Sequence, residues 1–260
     1  MALSVLRQAD DWLPAVHGGT VEDMTTTTTL ITGANKGIGH ETARQLVAAG
    51  HTVWVGARDE QRGRAAADEL GARFVQLDVT DDASVAAAVR TIDAAGGLDV
   101  LVNNAGIEPR LDGNVVPTPA DESADDVLRT FQTNVVGVVR VTHAFLPLLQ
   151  RSAAPVIVNL SSGLGSLQDL ADPDSYTHFY AGLSYPASKA TVNALTIQYA
   201  KAFPSFRVNS ADPGYTSTDL NGRAGTQTVA EGAKVVVRLA TLGPDGPTGT
   251  FVSRHGPVAW

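Results

Sequence analysis

A tyrosine and a lysine four residues apart are the first candidates for chemistry in this chain. Tyr185 and Lys189 bound the segment Tyr-Pro-Ala-Ser-Lys, and the residues that follow have the apolar spacing of a helix. Positions i and i+4 share a helix face, so Lys189 can approach the phenol. A nearby ammonium lowers a phenol's pKa from about 10, which suits proton transfer to or from a carbonyl oxygen. The same spacing also arises by chance on solvated helices.

A glycine-rich turn near the start of the chain is typical of a phosphate site. A threonine-rich run, residues 25–31, predicts a strand, and Thr-Gly-Ala-Asn-Lys-Gly-Ile-Gly follows over residues 32–39 before a helical pattern. In such a strand, turn and helix, the backbone amides at the helix start face a pyrophosphate. A purely structural turn is the alternative. The cofactor contacts expected here are Gly33, Asn35, Lys36, Gly37, Ile38 and Gly39.

The residue after the second predicted strand indicates which dinucleotide fits. That strand covers residues 51–57 and Arg58 follows it. An acid at this position holds a ribose 2′-hydroxyl, whereas an arginine accommodates a 2′-phosphate. Arg58 and Lys36 therefore favour NADP(H), with two solvated surface cations as the alternative. Asp59 is a contrary acid, and we expect it to cap the next helix.

Together with further motifs, these residues resemble the short-chain dehydrogenase/reductase family over residues 28–260. The motifs occur in the family's order along the chain. They are Leu77-Asp78-Val79, Asn103-Asn104-Ala105-Gly106, Asn134 within Phe-Gln-Thr-Asn-Val, Ser161-Ser162, Tyr185 with Lys189, and Asp212-Pro213-Gly214-Tyr215-Thr216-Ser217-Thr218.

The resemblance implies four catalytic residues. Tyr185 is the acid/base, and Lys189 lowers its pKa and bonds the nicotinamide ribose. Ser162 orients the substrate oxygen, with Ser161 open as the alternative hydroxyl, and Asn134 holds a water in the proton relay. The hydride comes from the cofactor, so no metal is expected.

The resemblance also implies cofactor contacts beyond the glycine turn, contributed by the loops that follow later strands. They are Asp78 and Val79 near the adenine, Asn104, Ala105 and Gly106 beside the adenosine ribose, Pro213, Gly214 and Thr216 around the nicotinamide carboxamide, and Thr218 near a phosphate.

Length and composition predict one α/β domain. The 260 residues, 43% of them hydrophobic, can bury one sizeable core. Alternating strands and helices predict a single-domain Rossmann fold with a doubly wound, seven-stranded parallel sheet and helices on both faces. Strands are expected near residues 25–31, 51–57, 73–77, 100–103, 156–160, 207–211 and 249–253, and helices near 60–70, 81–95, 121–150, 184–202 and 228–240.

Two regions are expected within the chain. Residues 25–260 would form the NADP-binding catalytic domain, and residues 1–24 an N-terminal extension. That extension lacks the basic start and continuous apolar core of a signal peptide. It is interpreted as a mobile or artefactual segment, with a packed helix as the alternative.

Charge and cysteine content exclude several function classes. The net charge is −8 and no basic cluster is present, which argues against nucleic acid or an anionic membrane as partner. No stretch is long and apolar enough to span a bilayer. The lack of cysteine excludes disulfides and thiol catalysis, and it fits a cytoplasmic enzyme.

The segment between Ser162 and Tyr185 departs from the common family pattern. It has 22 residues (163–184), more than most members place there. A similar insertion, here residues 164–183, marks the carbonyl-reductase-like branch and covers the face through which other members pair. The resemblance thus implies a monomer. Because the segment is short, a dimer stays possible and a surface loop without function is the alternative.

The expected function is NADPH-dependent reduction of a ketone or aldehyde to an alcohol. Leu164 and Leu167, with Tyr215 and Leu220, sketch a pocket that suits apolar or aromatic carbonyl compounds. An NAD-dependent alcohol dehydrogenase and a nucleotide-sensing regulator are the alternatives, although such regulators commonly lose the active tyrosine or lysine. An epimerase or dehydratase of the extended branch is weakened because no second domain follows Thr218.

Overall fold

The computed structural model describes residues 26–260, and the expected extension of residues 1–24 lies outside this range. Strands and helices alternate along the described chain. The strands are β1 (Thr28–Thr32), β2 (Thr52–Ala57), β3 (Arg73–Gln76), β4 (Val100–Asn103), β5 (Val156–Leu160), β6 (Arg207–Asp212), β7 (Phe251–Ser253) and β8 (Gly256–Pro257). The α-helices are α1 (Gly37–Ala48), α2 (Glu60–Leu70), α3 (Asp82–Ala94), α4 (Ala124–Phe131), α5 (Gly137–Leu149), α6 (Leu167–Ala171), α7 (Ser184–Ala202) and α8 (Val229–Ala240).

The strands form one sheet in the order β3-β2-β1-β4-β5-β6-β7-β8. Strands β1 to β7 pair in parallel, as the alternation of elements predicts. The chain moves outward in one direction from β1 to β3 and in the other from β4 onward. The switch point between β1 and β4 is where a crevice opens beyond the carboxyl ends of the strands.

The sheet contains one strand more than the seven parallel strands that were predicted. Strand β8 pairs antiparallel with β7, through the partners Val252 with Pro257 and Ser253 with Gly256. Gly256 turns the chain back with a φ of 119°. Pro257 is tolerated in β8 because this strand lies at the edge of the sheet, where a missing N–H breaks no hydrogen bond. A strand of two residues is too short to show an alternating pattern, and the sequence therefore did not predict it.

The core has two layers, one on each face of the sheet. Successive strand residues point to opposite faces, so Leu30 joins one layer and Ile31 the other. The layer around Leu30 includes Phe145 of α5 and Ile92 of α3, and the layer around Ile31 includes Leu46 of α1. Helices therefore cover both faces, which confirms the doubly wound architecture.

The long helix predicted over residues 121–150 is divided. Helix α4 begins after Ser123, whose side chain accepts a hydrogen bond from Asp126 N in a capping box. A single π-helical turn, Gln132–Val136, separates α4 from α5. Extra residues of this kind bulge a helix outward, and such bulges are frequent at functional sites. Among residues 26–260 no helix is long and apolar enough to cross a membrane.

Candidate active site

The carboxyl ends of the central strands open into one cleft of about 1880 Å³. That volume exceeds the 300–1,000 Å³ or so of an ordinary ligand pocket, which suits a dinucleotide together with a substrate. Most of the site residues expected from the sequence line it. They are Gly33, Asn35, Lys36, Gly37, Ile38, Gly39, Arg58, Asp78, Val79, Asn104, Ala105, Gly106, Ser162, Leu164, Tyr185, Lys189, Pro213, Gly214, Tyr215, Thr216, Thr218 and Leu220.

The glycine turn is packed tightly against the loop that follows β4. Gly33 has a φ of 66°, and a Cβ on Gly39 would lie 2.4 Å from Asn104 Nδ2. Asn104 Nδ2 donates to the carbonyl oxygen of Thr32 at 2.7 Å and so fixes the two segments together. The side chain of Lys36, at the start of α1, makes no cap, and the first residues of this helix, with their free amides, line the cleft. This geometry can hold an anionic group such as a pyrophosphate.

The charged residues near the end of β2 take separate roles. Asp59 Oδ1 accepts from Arg62 N at 2.9 Å and caps α2, which confirms the expectation for this acid. Arg58 lines the cleft. Lys36 lies on the cleft too, but its Nζ pairs with Asp219 Oδ2 at 3.2 Å, and Asp219 also pairs with Arg223. Lys36 thus lines the cleft while its ammonium is paired with the carboxylate of Asp219.

Tyr185 and Lys189 lie in the first turns of α7, on the face directed at the cleft. Lys189 is 4% exposed, and its Nζ donates to the carbonyl oxygen of Leu160 at 2.7 Å. The same nitrogen is 5.5 Å from the centroid of the Tyr185 ring. The helical spacing therefore brings the two side chains together.

The surroundings favour the neutral forms of both the Tyr185 phenol and the Lys189 amine. Burial, with the carboxylates of Glu108 and Asp212, raises the pKa of Tyr185 above its ordinary value. Burial lowers the pKa of Lys189 to about 8. Burial and these carboxylates raise the pKa of the phenol, and Lys189 Nζ donates to the carbonyl oxygen of Leu160. The lowering of the Tyr185 pKa by Lys189 stays a prediction.

The two adjacent serines point in different directions. Ser161 is buried, and its hydroxyl donates to the carbonyl oxygen of Lys189 at 3.4 Å. The hydroxyl of Ser162 lies on the cleft beside Tyr185, whose pKa it lowers slightly against the larger effect of burial. Ser162 Oγ accepts from Leu164 N at 3.2 Å, and its hydroxyl proton is directed to the Tyr185 phenol on the cleft.

Asn134 lies in the π-helical turn, behind the cleft rather than on its surface. Its amide Nδ2 donates to the carbonyl oxygen of Ile107 at 2.9 Å, and its Oδ1 accepts from Ile107 N at 2.8 Å. Nδ2 also donates to Ser188 Oγ at 3.0 Å, and Ser188 Oγ donates to the carbonyl oxygen of Tyr185 at 2.7 Å. Asn134 thus fastens the loop after β4 to the start of α7.

The substrate side of the cleft differs from the expectation at one residue. Leu164, Tyr215 and Leu220 line it, whereas Leu167 on α6 is 65% exposed and does not line it. Leu167 follows the helix cap Ser166, and it is Asp169 of the same short helix that lines the cleft. Sequence reasoning missed several cleft residues: Glu108, Arg110, Tyr176, Phe179, Tyr180 and Asp212. The aromatic residues of the insertion and the position after Asn-Asn-Ala-Gly were the available signals.

Glu122 has a structural role that the sequence did not indicate. Helix α7 has no side-chain cap from its own first residues. Glu122 Oε1 instead accepts from Leu183 N at 2.8 Å, and its Oε2 accepts from Ser184 N at 3.1 Å. The carboxylate satisfies free amides and opposes the positive end of the helix dipole. It therefore stabilises the turn that carries Tyr185.

Comparison with known proteins places this arrangement in a family. The model of the short chain dehydrogenase family matches residues 27–229. The chain is 33% identical to (+)-neomenthol dehydrogenase of Capsicum annuum, over 86% of this chain and 95% of that protein. It is 36% identical to (-)-isopiperitenone reductase of Mentha piperita, over 88% and 97%.

A solved structure with the same architecture is the NADPH-bound carbonyl reductase from chicken fatty liver. It superimposes with a TM-score of 0.78 at 30% identity, over 90% of this chain and 99% of that one. The chain belongs to the short-chain dehydrogenase family. It is an oxidoreductase that uses a nicotinamide cofactor and acts on a small molecule.

Proposed function

We propose that this protein is an NADPH-dependent carbonyl reductase that converts a ketone or aldehyde to its alcohol. The observation that carries the proposal is the junction at Tyr185. There a half-buried phenol lies beside the Ser162 hydroxyl and near the Lys189 ammonium, at the point where the glycine-turn end of the cleft meets its aromatic end.

The cleft fits a dinucleotide at its glycine-turn end. Gly33 has a positive φ, and a Cβ on Gly39 would clash with Asn104, so glycine at these positions keeps the turn close to the loop after β4 with its amides beside the cleft. We propose the adenosine contacts at Asp78, Val79 and Asn104, and the nicotinamide contacts at Lys189, Pro213, Gly214 and Thr216. The cofactor supplies the hydride.

The protein supplies orientation and a proton. Ser162 lies on the cleft beside the phenol and would donate its hydroxyl proton to the substrate oxygen, and the phenol of Tyr185 would give its proton to that oxygen. The raised pKa of Tyr185 keeps the phenol protonated at neutral pH, which is the form that a reduction requires. Lys189, with a pKa of about 8, is mostly an ammonium at pH 7 and would bond the nicotinamide ribose.

Arg58 supports NADPH over NADH. It follows β2 on the cleft, and the neighbouring acid Asp59 is occupied as the cap of α2. A guanidinium there offers charge-assisted hydrogen bonds to a 2′-phosphate. An NAD-dependent alcohol dehydrogenase is the alternative, favoured by the engagement of Lys36 with Asp219.

We propose an apolar or aromatic carbonyl compound as the substrate. Leu164, Tyr215 and Leu220 line this end of the cleft, and Phe179 adds an aromatic ring that is 77% exposed. Such a wall favours apolar groups over charged sugars. The names of the relatives, neomenthol dehydrogenase and isopiperitenone reductase, support this class.

A substrate screen tests the proposal. Purified enzyme is mixed with NADPH and a panel of aryl ketones, diketones, cyclic terpenoid ketones and hydrophobic aldehydes, and loss of the absorbance of NADPH is followed. We expect turnover with members of this panel. Tight NADPH binding without consumption in any reaction would favour a nucleotide sensor. Reduction restricted to phosphorylated or carrier-bound compounds would contradict the apolar pocket.

A further inference from the structure

A buried charged cluster lies on the substrate side of Tyr185 and is not used in the mechanism above. Glu108 is two residues beyond Gly106, and its side chain is 5% exposed. Its Oε2 accepts from Arg110 at 2.6 Å, and its Oε1 accepts from the hydroxyl of Tyr180. A carboxylate this deeply buried needs such partners, because an unpaired charge would be strongly destabilising.

The cluster connects three segments that surround the cleft. Glu108 and Arg110 belong to the loop after β4, whereas Tyr180 belongs to the insertion. Arg110 donates to the carbonyl oxygen of Asn114 at 3.4 Å, and Asn114 Nδ2 donates to the carbonyl oxygen of Asn221 at 2.9 Å. Asn221 lies in the loop after β6, next to the predicted cofactor contacts.

We propose that Glu108 is a positioning residue: its carboxylate fastens Tyr180, and with it the insertion, to the loop after β4, and so forms the substrate wall beside Tyr185. This inference rests on the proposed carbonyl reduction. Phe179, next to Tyr180, is largely exposed and contributes little burial to this part of the insertion. The bond between Tyr180 and Glu108 is the side-chain contact that joins the aromatic end of the insertion to the loop after β4.

The charge of Glu108 should also influence how the activity depends on pH. The groups that face it are Arg110 on its own loop, Tyr180 on the insertion, and Tyr185 and Lys189 on α7, with Asp212 also acting on Tyr185 from β6. Glu108 raises the pKa of both Tyr185 and Lys189. Its neutralisation should lower both values, so the alkaline limb of activity moves to lower pH.

The experiment compares Glu108→Gln, Glu108→Ala, Tyr180→Phe and the double variant Glu108→Ala/Tyr180→Phe. Tyr199→Phe is the matched control, because Tyr199 stacks on Phe203 away from the cleft. The KM for the best carbonyl substrate, kcat across pH, the Kd for NADPH and the thermal unfolding midpoint are measured for each variant. Tyr180→Phe removes one oxygen and keeps the protein testable if Glu108→Ala leaves Arg110 unpaired and does not fold.

We expect Tyr180→Phe and Glu108→Ala each to raise the carbonyl KM about tenfold, as loss of a hydrogen bond to a charged group implies. The double variant should be no worse than the worse single variant, because both remove the same contact. The NADPH Kd should stay within about twofold of the unmodified protein. Glu108→Gln should move the alkaline limb to lower pH, whereas Tyr180→Phe and Tyr199→Phe should leave it in place.

Additive losses in the double variant, an unchanged KM in Tyr180→Phe, or an alkaline limb that stays in place in Glu108→Gln would each overturn the proposal. If the unmodified protein reduces no carbonyl compound, the proposed function fails. The unfolding midpoints then still decide whether Glu108 and Tyr180 are coupled, and additive midpoint losses would show that the fastening itself is absent.

Discussion

The two ends of the cleft are formed by different parts of the protein, backbone at one end and side chains at the other. At the glycine-turn end, backbone segments pack so closely that a Cβ on Gly39 would lie 2.4 Å from Asn104. At the substrate end, side chains form the wall, and Phe179 and Tyr176 are more than two-thirds exposed. The first end is shaped by the sheet and α1, whereas the second depends on an insertion held by a few polar contacts.

This difference between the two ends matches their roles, because the proposed cofactor is the same in many family members whereas the substrate varies. Backbone amides and glycines present one fixed surface, which suits a cofactor of constant shape. Side chains on loops can be exchanged without disturbing the sheet, which suits a substrate that differs among family members. Tyr185 and Ser162 lie where the two ends meet. A change on one side should therefore alter cofactor binding or substrate binding, but not both.

The largest effect is expected at the junction. Tyr185→Phe removes the proton donor, so kcat for carbonyl reduction should fall roughly a hundred- to ten-thousand-fold. The Kd for NADPH, measured by fluorescence titration, should stay nearly constant, because the glycine-turn end is untouched. Tyr199→Phe, outside the cleft, is the control. A Tyr185→Phe enzyme with near-normal turnover would remove Tyr185 from the mechanism.

The glycine-turn end was predictable because its signals are local. Gly33, Gly37 and Gly39 lie within seven residues of one another, between a strand and a helix that have their own periodicity. Arg58 and Asp59 were likewise assigned from their position after β2. Parallel pairing of β1 to β7 followed from the alternation of elements.

The substrate end was less predictable because its contacts join distant residues. Glu108 and Tyr180 are 72 positions apart, and Glu122 caps α7 from 61 positions away. No pattern along the chain connects such residues. Leu167 was assigned to the pocket because it is apolar and lies in the insertion, but the direction of a side chain on α6 depends on how that helix packs.

The second prediction concerns the cofactor alone. Arg58→Asp should lower kcat/KM for NADPH about ten- to a hundredfold and raise it for NADH, because charge-assisted hydrogen bonds of about 1.5–3 kcal/mol to the 2′-phosphate are replaced by repulsion. Arg64→Asp makes the same charge change on α2, where Arg64 pairs with Glu60, and should leave the preference intact. Equal efficiency with both cofactors in the unmodified enzyme would show that Arg58 does not read a phosphate.

The third prediction concerns pH. Lys189 has a pKa lowered to about 8, so its ammonium is present below pH 8 and is lost as the pH rises through that value. Since the pKa of Tyr185 is raised, the phenol stays protonated over this range. We expect kcat/KM for reduction to be level below pH 8 and to fall by up to about tenfold per pH unit above it. If kcat/KM began to fall only above pH 10, the group responsible would be the Tyr185 phenol and not Lys189.

The smallest effect is expected at the rim of the substrate end. Phe179 lines the cleft and Leu167 does not, although 77% and 65% of these residues are exposed. If an apolar substrate covers about 30 Å² of the Phe179 ring, truncation at about 25 cal/mol/Å² costs ~0.8 kcal/mol, or about fourfold in KM. Phe179→Ala should show this rise in KM for an aryl ketone with an unchanged NADPH Kd, whereas Leu167→Ala should show neither change. Equal effects of the two substitutions would mean that Leu167 influences substrate binding as much as Phe179 does. The distinction between residues that line the cleft and residues outside it would then be wrong.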